Sequence, residues 1–363
     1  MSSVQLETRR AQSLRRRLLE WFAAERRALP WRETSDPYGI WISEAMLQQT
    51  RVEVVLDYWP RFLERFPTVG DLAEAEEEEV LALWSGLGYY SRARKLRLAA
   101  QELVARFGGA FPRSREEALS LPGVGPYTAG AVLSIAYGLP EALVDGNVQR
   151  VLARLFGLEE EVGSSVLQKS LWALAEELVP EADPGDWNQA LMELGATVCR
   201  ARSPLCEACP VARDCRARAD GRQELLPRKR PKAPPVEVAL TILVAEARGR
   251  WLLEQRPAGG RMAGLWQFPT LERPAGGAEA ALFPTELPEH AGSPVLAAGA
   301  ARGRLRHGIT RYRIEAEVRS AELVAPRPRD WRWFRRPELE QLALTGMARK
   351  VLRMEDEARL FGE

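Results

Sequence analysis

Long apolar runs are missing from this 363-residue chain: 46% of it is hydrophobic, yet no window approaches the roughly 18 apolar residues a membrane span needs. A membrane protein is excluded on that reading. The start, MSSVQLETRR, has no apolar stretch leading to a small-residue cleavage site, which argues against secretion and for a cytosolic protein. Excess charge is missing too. A net charge of +1 gives no whole-chain field that would attract nucleic acid, so any basic surface must be local. Lysine is scarce, confined to Lys95, Lys169, Lys229, Lys232 and Lys350 beside abundant arginine, a bias that suits a bacterial genome rich in G and C. Cysteine is absent outside residues 199–215, which removes a disulfide framework. No internal repeat of fixed period is visible.

What is present begins with length: 363 residues exceed what one core usually serves, so two domains are expected. From Leu14 to about Arg218 apolar residues recur at helical spacing, as in Leu96, Ala99, Ala100, Leu103, Val104 and Phe107. The stretch GRQELLPRKRPKAPP, with four prolines and five basic residues, reads as a solvated linker. Beyond it, VEVALTILVAEA, RWLLEQR and YRIEAEVRSAEL are β-type runs, with a helix near the C-terminus. The division is a mostly α region over 1–220, a linker over 221–236 and an α+β domain over 237–363.

The cysteines stand at Cys199, Cys206, Cys209 and Cys215, spaced C-x6-C-x2-C-x5-C. In a reducing compartment such a cluster is a metal site. A structural zinc site is one reading, but zinc ribbons use two C-x2-C knuckles and here there is one with wider gaps, which favours a four-iron four-sulfur cluster. Arg200, Arg202, Arg213, Arg216 and Arg218 surround the ligands and offer local positive charge. Upstream, over about 119–130, a helix, a tight turn and a second helix are expected, with Leu121, Gly123, Val124 and Gly125 in the turn. Its glycines leave backbone N–H groups uncovered at a helix start, where donors and dipole attract a phosphate. An ordinary helix–helix turn needing glycine is the alternative.

Two carboxylates complete the pattern. Glu44, in DPYGIWISEAMLQQTRV, falls well inside a helix beginning near Pro37. Ile40, Trp41 and Leu47 adjoin it, so burial should raise its pKa and hold a proton at neutral pH. Asp145, in LPEALVDGNVQRVLARLFG, stands directly before a helical run as an N-cap, where amide donors and dipole should keep it ionised. One protonated and one charged acid is the pairing that cleavage of a glycosidic bond requires.

These residues resemble the MutY adenine DNA glycosylases, relatives of endonuclease III. The similarity runs in order through LPWRETSDPYGIWISEAMLQQTRV, WSGLGYYSRARKL, LPGVGPYTAGAV, VDGNVQRVLAR, NQALMELGATVC and the cysteine window. The resemblance implies a helix-hairpin-helix glycosylase fold and removal of adenine mispaired with 8-oxoguanine or guanine in duplex DNA. One enzyme per lesion makes a monomer the expectation, and action on bacterial DNA an association with the nucleoid. Glu44 would protonate the adenine, Asp145 would steady an oxocarbenium-like sugar, and Asn147 would support the reacting centre. Tyr127 occupies the position of the lysine nucleophile of bifunctional relatives, so the strand would not be efficiently nicked. Arg27, Trp31, Arg32, Leu47 and Gln189 match the adenine pocket. Gln49 and Tyr89 match residues inserted into the duplex as adenine swings out, and Gln48, Thr50, Gly86, Leu87, Gly88 and Tyr90 fall beside them on the DNA-facing motifs.

The C-terminal part is similar to a Nudix-like domain through RPAGGRMAGLWQFPT. No R-E-x2-E-E box follows, so recognition is expected rather than Mg²⁺-dependent hydrolysis. Leu305, Arg306 and His307 align with a family loop that senses oxidised guanine, and only the histidine is retained. A G:T thymine or oxidised-pyrimidine glycosylase is the alternative within enzymes. A non-catalytic damage-binding protein is the alternative of another class.

Overall fold

The computed structural model describes residues 8–231, 233–257, 259–260, 262–273 and 282–360, without the side chains of 8, 359 and 360. The chain forms two compact units: residues 1–74 with 95–231, and residues 75–94 with 232–363. The N-terminal unit is helical. Its elements are α1 (Thr8–Glu25), α2 (Pro37–Leu47), α3 (Val52–Arg65) and α4 (Val69–Glu74). After α5 (Glu77–Leu83), which belongs to the second unit, come α6 (Ser91–Phe107), α7 (Arg115–Leu119), α8 (Pro126–Tyr137), α9 (Gly146–Phe156), α10 (Ser165–Leu178), α11 (Pro184–Thr197) and the single turn α12 (Arg216–Ala219).

Its core is built by amphipathic faces. Leu14, Leu18 and Phe22 of α1, Val148, Val151, Leu152 and Leu155 of α9, and Trp187, Leu191 and Leu194 of α11 all bury together. Gly195 permits the closest approach: a Cβ there would stand 2.6 Å from Asn147 Cβ, so α9 and α11 meet where only glycine fits.

The second unit is α+β. A seven-stranded mixed sheet runs through β1 (Val236–Ala247), β2 (Arg250–Gln255), β3 (Trp266–Gln267), β4 (Thr270–Arg273), β7 (Leu296–Ile309), β8 (Tyr312–Leu323) and β9 (Trp331–Arg335). The short β5 (Glu289–His290) and β6 (Ser293–Pro294) pair separately, and α13 (Arg336–Glu340) and α14 (Gly346–Leu360) follow. The β1–β8 pairing is parallel and β7–β8 antiparallel. Arg248 and Gly249 take φ of 51° and 70°, the left-handed pair that a two-residue hairpin demands.

Two boundaries differ from the sequence reading. Residues 75–94, helical in texture, pack with the C-terminal unit. The segment read as a solvated linker is half attached: Leu226 is buried, its carbonyl accepts from Arg154 at 2.9 Å, and Arg228 O accepts from Val162 N at 2.9 Å. A buried guanidinium needs carbonyl acceptors, and this stretch supplies one despite its polar composition. The stretch 271–284, where a Nudix box was sought, lies largely outside the described residues.

Candidate active site

The helix carrying Glu44 is fixed at its start. Asp36 caps α2, accepting from Tyr38 N at 3.1 Å and Gly39 N at 3.0 Å, with Pro37 at the first helical position. Residues 38–46 of α2 are all buried, so Glu44 is sequestered, 4% exposed. Beyond Gln48, Gln49 turns out with φ of 59°, while Gln48 donates to Thr128 Oγ1 at 3.1 Å and ties α2 to α8.

One cleft of about 410 Å³ collects Glu44, Leu47, Gln48, Gln49, Thr50, Arg27, Trp31, Arg32, Tyr127, Asp145, Asn147 and Gln189. Burial pushes the Glu44 carboxyl up to about 7, against a hydrogen bond from Tyr127 that lowers it; Asp145 raises it further and Arg32 lowers it. The acid can therefore hold a proton near neutrality. Tyr127 donates a short hydrogen bond to Glu44 Oε2, and burial drives its own pKa well upward, so it stays a neutral donor. Met192 Sδ lies 3.5 Å from the same hydroxyl.

Asp145 caps α9 with an extended backbone and accepts from Val148 N at 2.7 Å and Asn147 Nδ2 at 2.8 Å. The donors expected from the helix start are present, yet its pKa is raised, not held down: burial outweighs the hydrogen bonds from Val148 and Asn147. The sequence reading counted the donors and missed the desolvation.

Glu193 was not singled out in the sequence. It accepts from Arg27 Nε at 2.7 Å and NH2 at 2.8 Å, and from Arg32 NH2 at 2.9 Å, while 1% exposed. Burial alone would raise its pKa; the hydrogen bonds from Arg27 and Arg32 bring it down to about 2. Its signal was available: two arginines assigned to one pocket require an anion, and Glu193 follows Gln189 by one helical turn. Arg150, also missed, donates to Asn147 Oδ1, Cys199 O and Gly195 O, each at 2.8 Å, joining the Asp145 cap to the cysteine region.

Cys199, Cys206, Cys209 and Cys215 follow α11 on loops and short 3-10 turns, each partly buried. Arg154 donates to Cys199 Sγ at 3.3 Å, a cationic contact suited to a thiolate. Burial raises the Cys209 thiol to about 12, an environment in which a free thiolate is costly and a bound metal offsets the cost. Four thiols within one short segment offer one ligand for each iron of a four-iron cluster. Of the nearby arginines, Arg216 and Arg218 pair with Asp220 and Glu207, at 2.8 and 2.9 Å.

The hairpin joins α7 to α8. Gly123 has φ of 80°, and a Cβ there would stand 2.7 Å from Lys95 Cβ, so both backbone and space require glycine. Gly125 begins α8 without a side-chain cap, leaving amides open. Leu121 and Val124 are buried, and their amides already donate to Ala118 O and Leu121 O, each at 3.2 Å. In the second unit, Tyr89 is exposed whereas Leu87 and Tyr90 are buried. Leu305, Arg306 and His307 are not in a loop but in β7, opposite Ala316, Glu315 and Ile314. Continuous pairing with β8 extends the strand through them. Burial lowers the His307 pKa, with Lys350 adding to the effect.

Comparison with known proteins follows this geometry. Residues 42–177 match the HhH-GPD superfamily of base excision DNA repair proteins, 199–215 the iron-sulfur binding domain of endonuclease III, and 240–354 the NUDIX domain. The four cysteines accordingly hold a four-iron four-sulfur cluster. The chain is 39% identical to the rat adenine DNA glycosylase over 96% of its own length and 78% of that protein's. The human adenine DNA glycosylase is 36% identical over 93% of this chain and 73% of that protein. Among solved structures, a thermostable thymine-DNA glycosylase matches at TM-score 0.53 and 33% identity, covering 58% of this chain and 97% of that one. A trapped endonuclease III–DNA covalent intermediate matches at TM-score 0.51 and 26% identity, over 60% and 99%. No helix among the described residues is long and apolar enough to cross a membrane. By sequence over most of its length, and with base excision of adenine as its activity, the chain belongs to the MutY family of adenine DNA glycosylases.

Proposed function

We propose that this enzyme, acting as a monomer, releases adenine paired with 8-oxoguanine or guanine in duplex DNA and leaves an abasic site. The observation that carries the reading is that Glu44 and Asp145 line one cleft with Tyr127 bonded to the first. Glu44, whose carboxyl burial pushes up to about 7, gives its proton to the departing adenine as the N-glycosyl bond breaks. The bond's electron pair leaves with the base, and the sugar becomes an oxocarbenium-like cation beside the Asp145 carboxylate. Water then adds to the anomeric carbon, and its proton passes to a carboxylate of the site.

Asn147 fixes the orientation of Asp145, and Arg150 fixes Asn147 in turn. Tyr127 orients Glu44 and supplies no amine, so no covalent imine with the sugar forms there. Arg27, Trp31, Arg32, Leu47 and Gln189 enclose the adenine; Gln49 and Tyr89 enter the space it vacates. Gly123 and Gly125 offer backbone donors to phosphate, and the four-iron cluster, when bound, orders the arginine-bearing loop after α11. The domain at 240–354 contributes recognition of the opposite base, with His307 and its neighbours as contacts.

The test is single-turnover incubation of an adenine:8-oxoguanine duplex followed by alkali. Strand breakage only after alkali supports a monofunctional adenine glycosylase. Base loss from a G:T duplex instead would favour the thymine reading, which the likeness to a thymine-DNA glycosylase keeps as the second candidate.

A further inference from the structure

Residues 84–90 of the second unit make a turn that displays one aromatic side chain. Tyr89 is 48% exposed, whereas Trp84, Ser85, Leu87 and Tyr90 are buried. Gly86, Gly88 and Tyr89 take φ of 114°, 72° and 47°. A tyrosine in left-handed backbone is unfavourable and persists only where its surroundings over-determine it.

The surroundings come from the C-terminal part of the same unit. Arg349 of α14 donates to Ser85 O at 2.6 Å. Ser85 Oγ and Tyr90 OH converge on one acceptor, Leu344 O, at 3.2 and 3.3 Å, and Tyr90 OH accepts from Gly86 N at 3.4 Å. Leu344 is itself bridged to Trp266, whose Nε1 donates to Glu78 Oε1 of α5 at 2.9 Å. Arg94, at the start of α6, donates a short hydrogen bond to Ala263 O. Within the turn, Trp84 Nε1 donates to Gly88 O at 3.1 Å and the Arg92 guanidinium lies 5.5 Å from the Tyr89 ring centroid.

We infer that Leu344 and Arg349 hold the Tyr89 turn in its display conformation, so that Arg349, far along the chain in the recognition domain, is a positioning residue for base extrusion. The inference rests on the reading of Tyr89 as the inserting residue. Its consequence is that the domain expected to sense the opposite base also sets the wedge: a rearrangement at Leu344 or Arg349 passes to Ser85 and Tyr90, the residues that anchor the turn before and after Tyr89.

A double-mutant cycle with the cluster-loaded full chain tests this. Wild type, Arg349→Ala, Tyr89→Ala and the double variant are compared by single-turnover adenine release and by the fluorescence of 2-aminopurine placed at the target adenine, which reports extrusion. Tyr89→Ala should lower extrusion by about tenfold, Arg349→Ala by several-fold, and the double variant should match Tyr89→Ala alone. Arg349→Gln, which keeps an N–H donor for Ser85 O, should recover extrusion and serves if Arg349→Ala does not fold. Two defects that multiply independently would overturn the positioning role while leaving Tyr89 as the wedge. A Tyr89→Ala enzyme with normal extrusion would overturn the wedge reading itself, and this inference with it.

Discussion

Two glutamates line one cleft and show how little the residue type decides. Glu44, 4% exposed, faces burial with one tyrosine donor and a neighbouring aspartate, and its pKa rises to about 7. Glu193, 1% exposed, meets two arginines, and its pKa falls to about 2. Desolvation acts on both in the same direction; the guanidinium partners reverse the outcome for one. Glu44 is thereby suited to giving up a proton, and Glu193 to holding Arg27 and Arg32 in place by charge-assisted hydrogen bonds.

The comparison can be broken from either glutamate. Glu44→Gln removes the proton donor without a change in size; base release should fall by about 10²–10⁴-fold while duplex binding is kept, checked by single-turnover kinetics beside a binding titration. Glu193→Ala should cost about 3–5 kcal/mol of stability, because Arg27 and Arg32 lose their buried partner, seen as a lowered denaturation midpoint. The wild-type contribution of Glu193 is fully present above its ordinary value of 4.5 and is lost as pH falls toward about 2. Glu44 has the opposite sign. Its raised pKa favours the folded state below 4.5, and that advantage disappears as pH rises through about 7.

Finer tests sharpen the contrast. Tyr127→Phe deletes the hydrogen bond that lowers the Glu44 pKa, so the alkaline limb of the pH–rate profile should move to higher pH; an unmoved limb would mean that another group governs it. Gln48→Ala, which removes the Thr128 contact between α2 and α8, should cost about 1 kcal/mol in thermal denaturation.

Much of the cleft was legible because its motifs lie at helix starts and in turns, where chemistry dictates residue type. Asp36-Pro37 marks the start of the helix that carries Glu44, and Asp145 marks the next site as an N-cap. What escaped depends on non-local packing. Glu193 and Arg150 gain meaning only when the segment after α1 meets α11 and α9 meets the cysteine region, at separations of 166 residues for Arg27 to Glu193 and 49 for Arg150 to Cys199. The upward shift of Asp145 escaped because a cap is a local feature and burial is not. The C-terminal unit was less legible. Leu305 to His307 read as a loop because they align with a family loop, whereas β8 pairs with all three; strand pairing over such distances is not visible in a local alignment. Residues 75–94 look like one more helical stretch, and their placement in the second unit rests on contacts such as Trp266 to Glu78, 188 residues apart.

The central claim is that Glu44 carries a proton near neutral pH. Infrared difference titration of the carboxylic C=O band, wild type minus Glu44→Gln, measures it directly. The account predicts a Glu44 band that disappears with a midpoint near 7. A band already lost below pH 5 would contradict it.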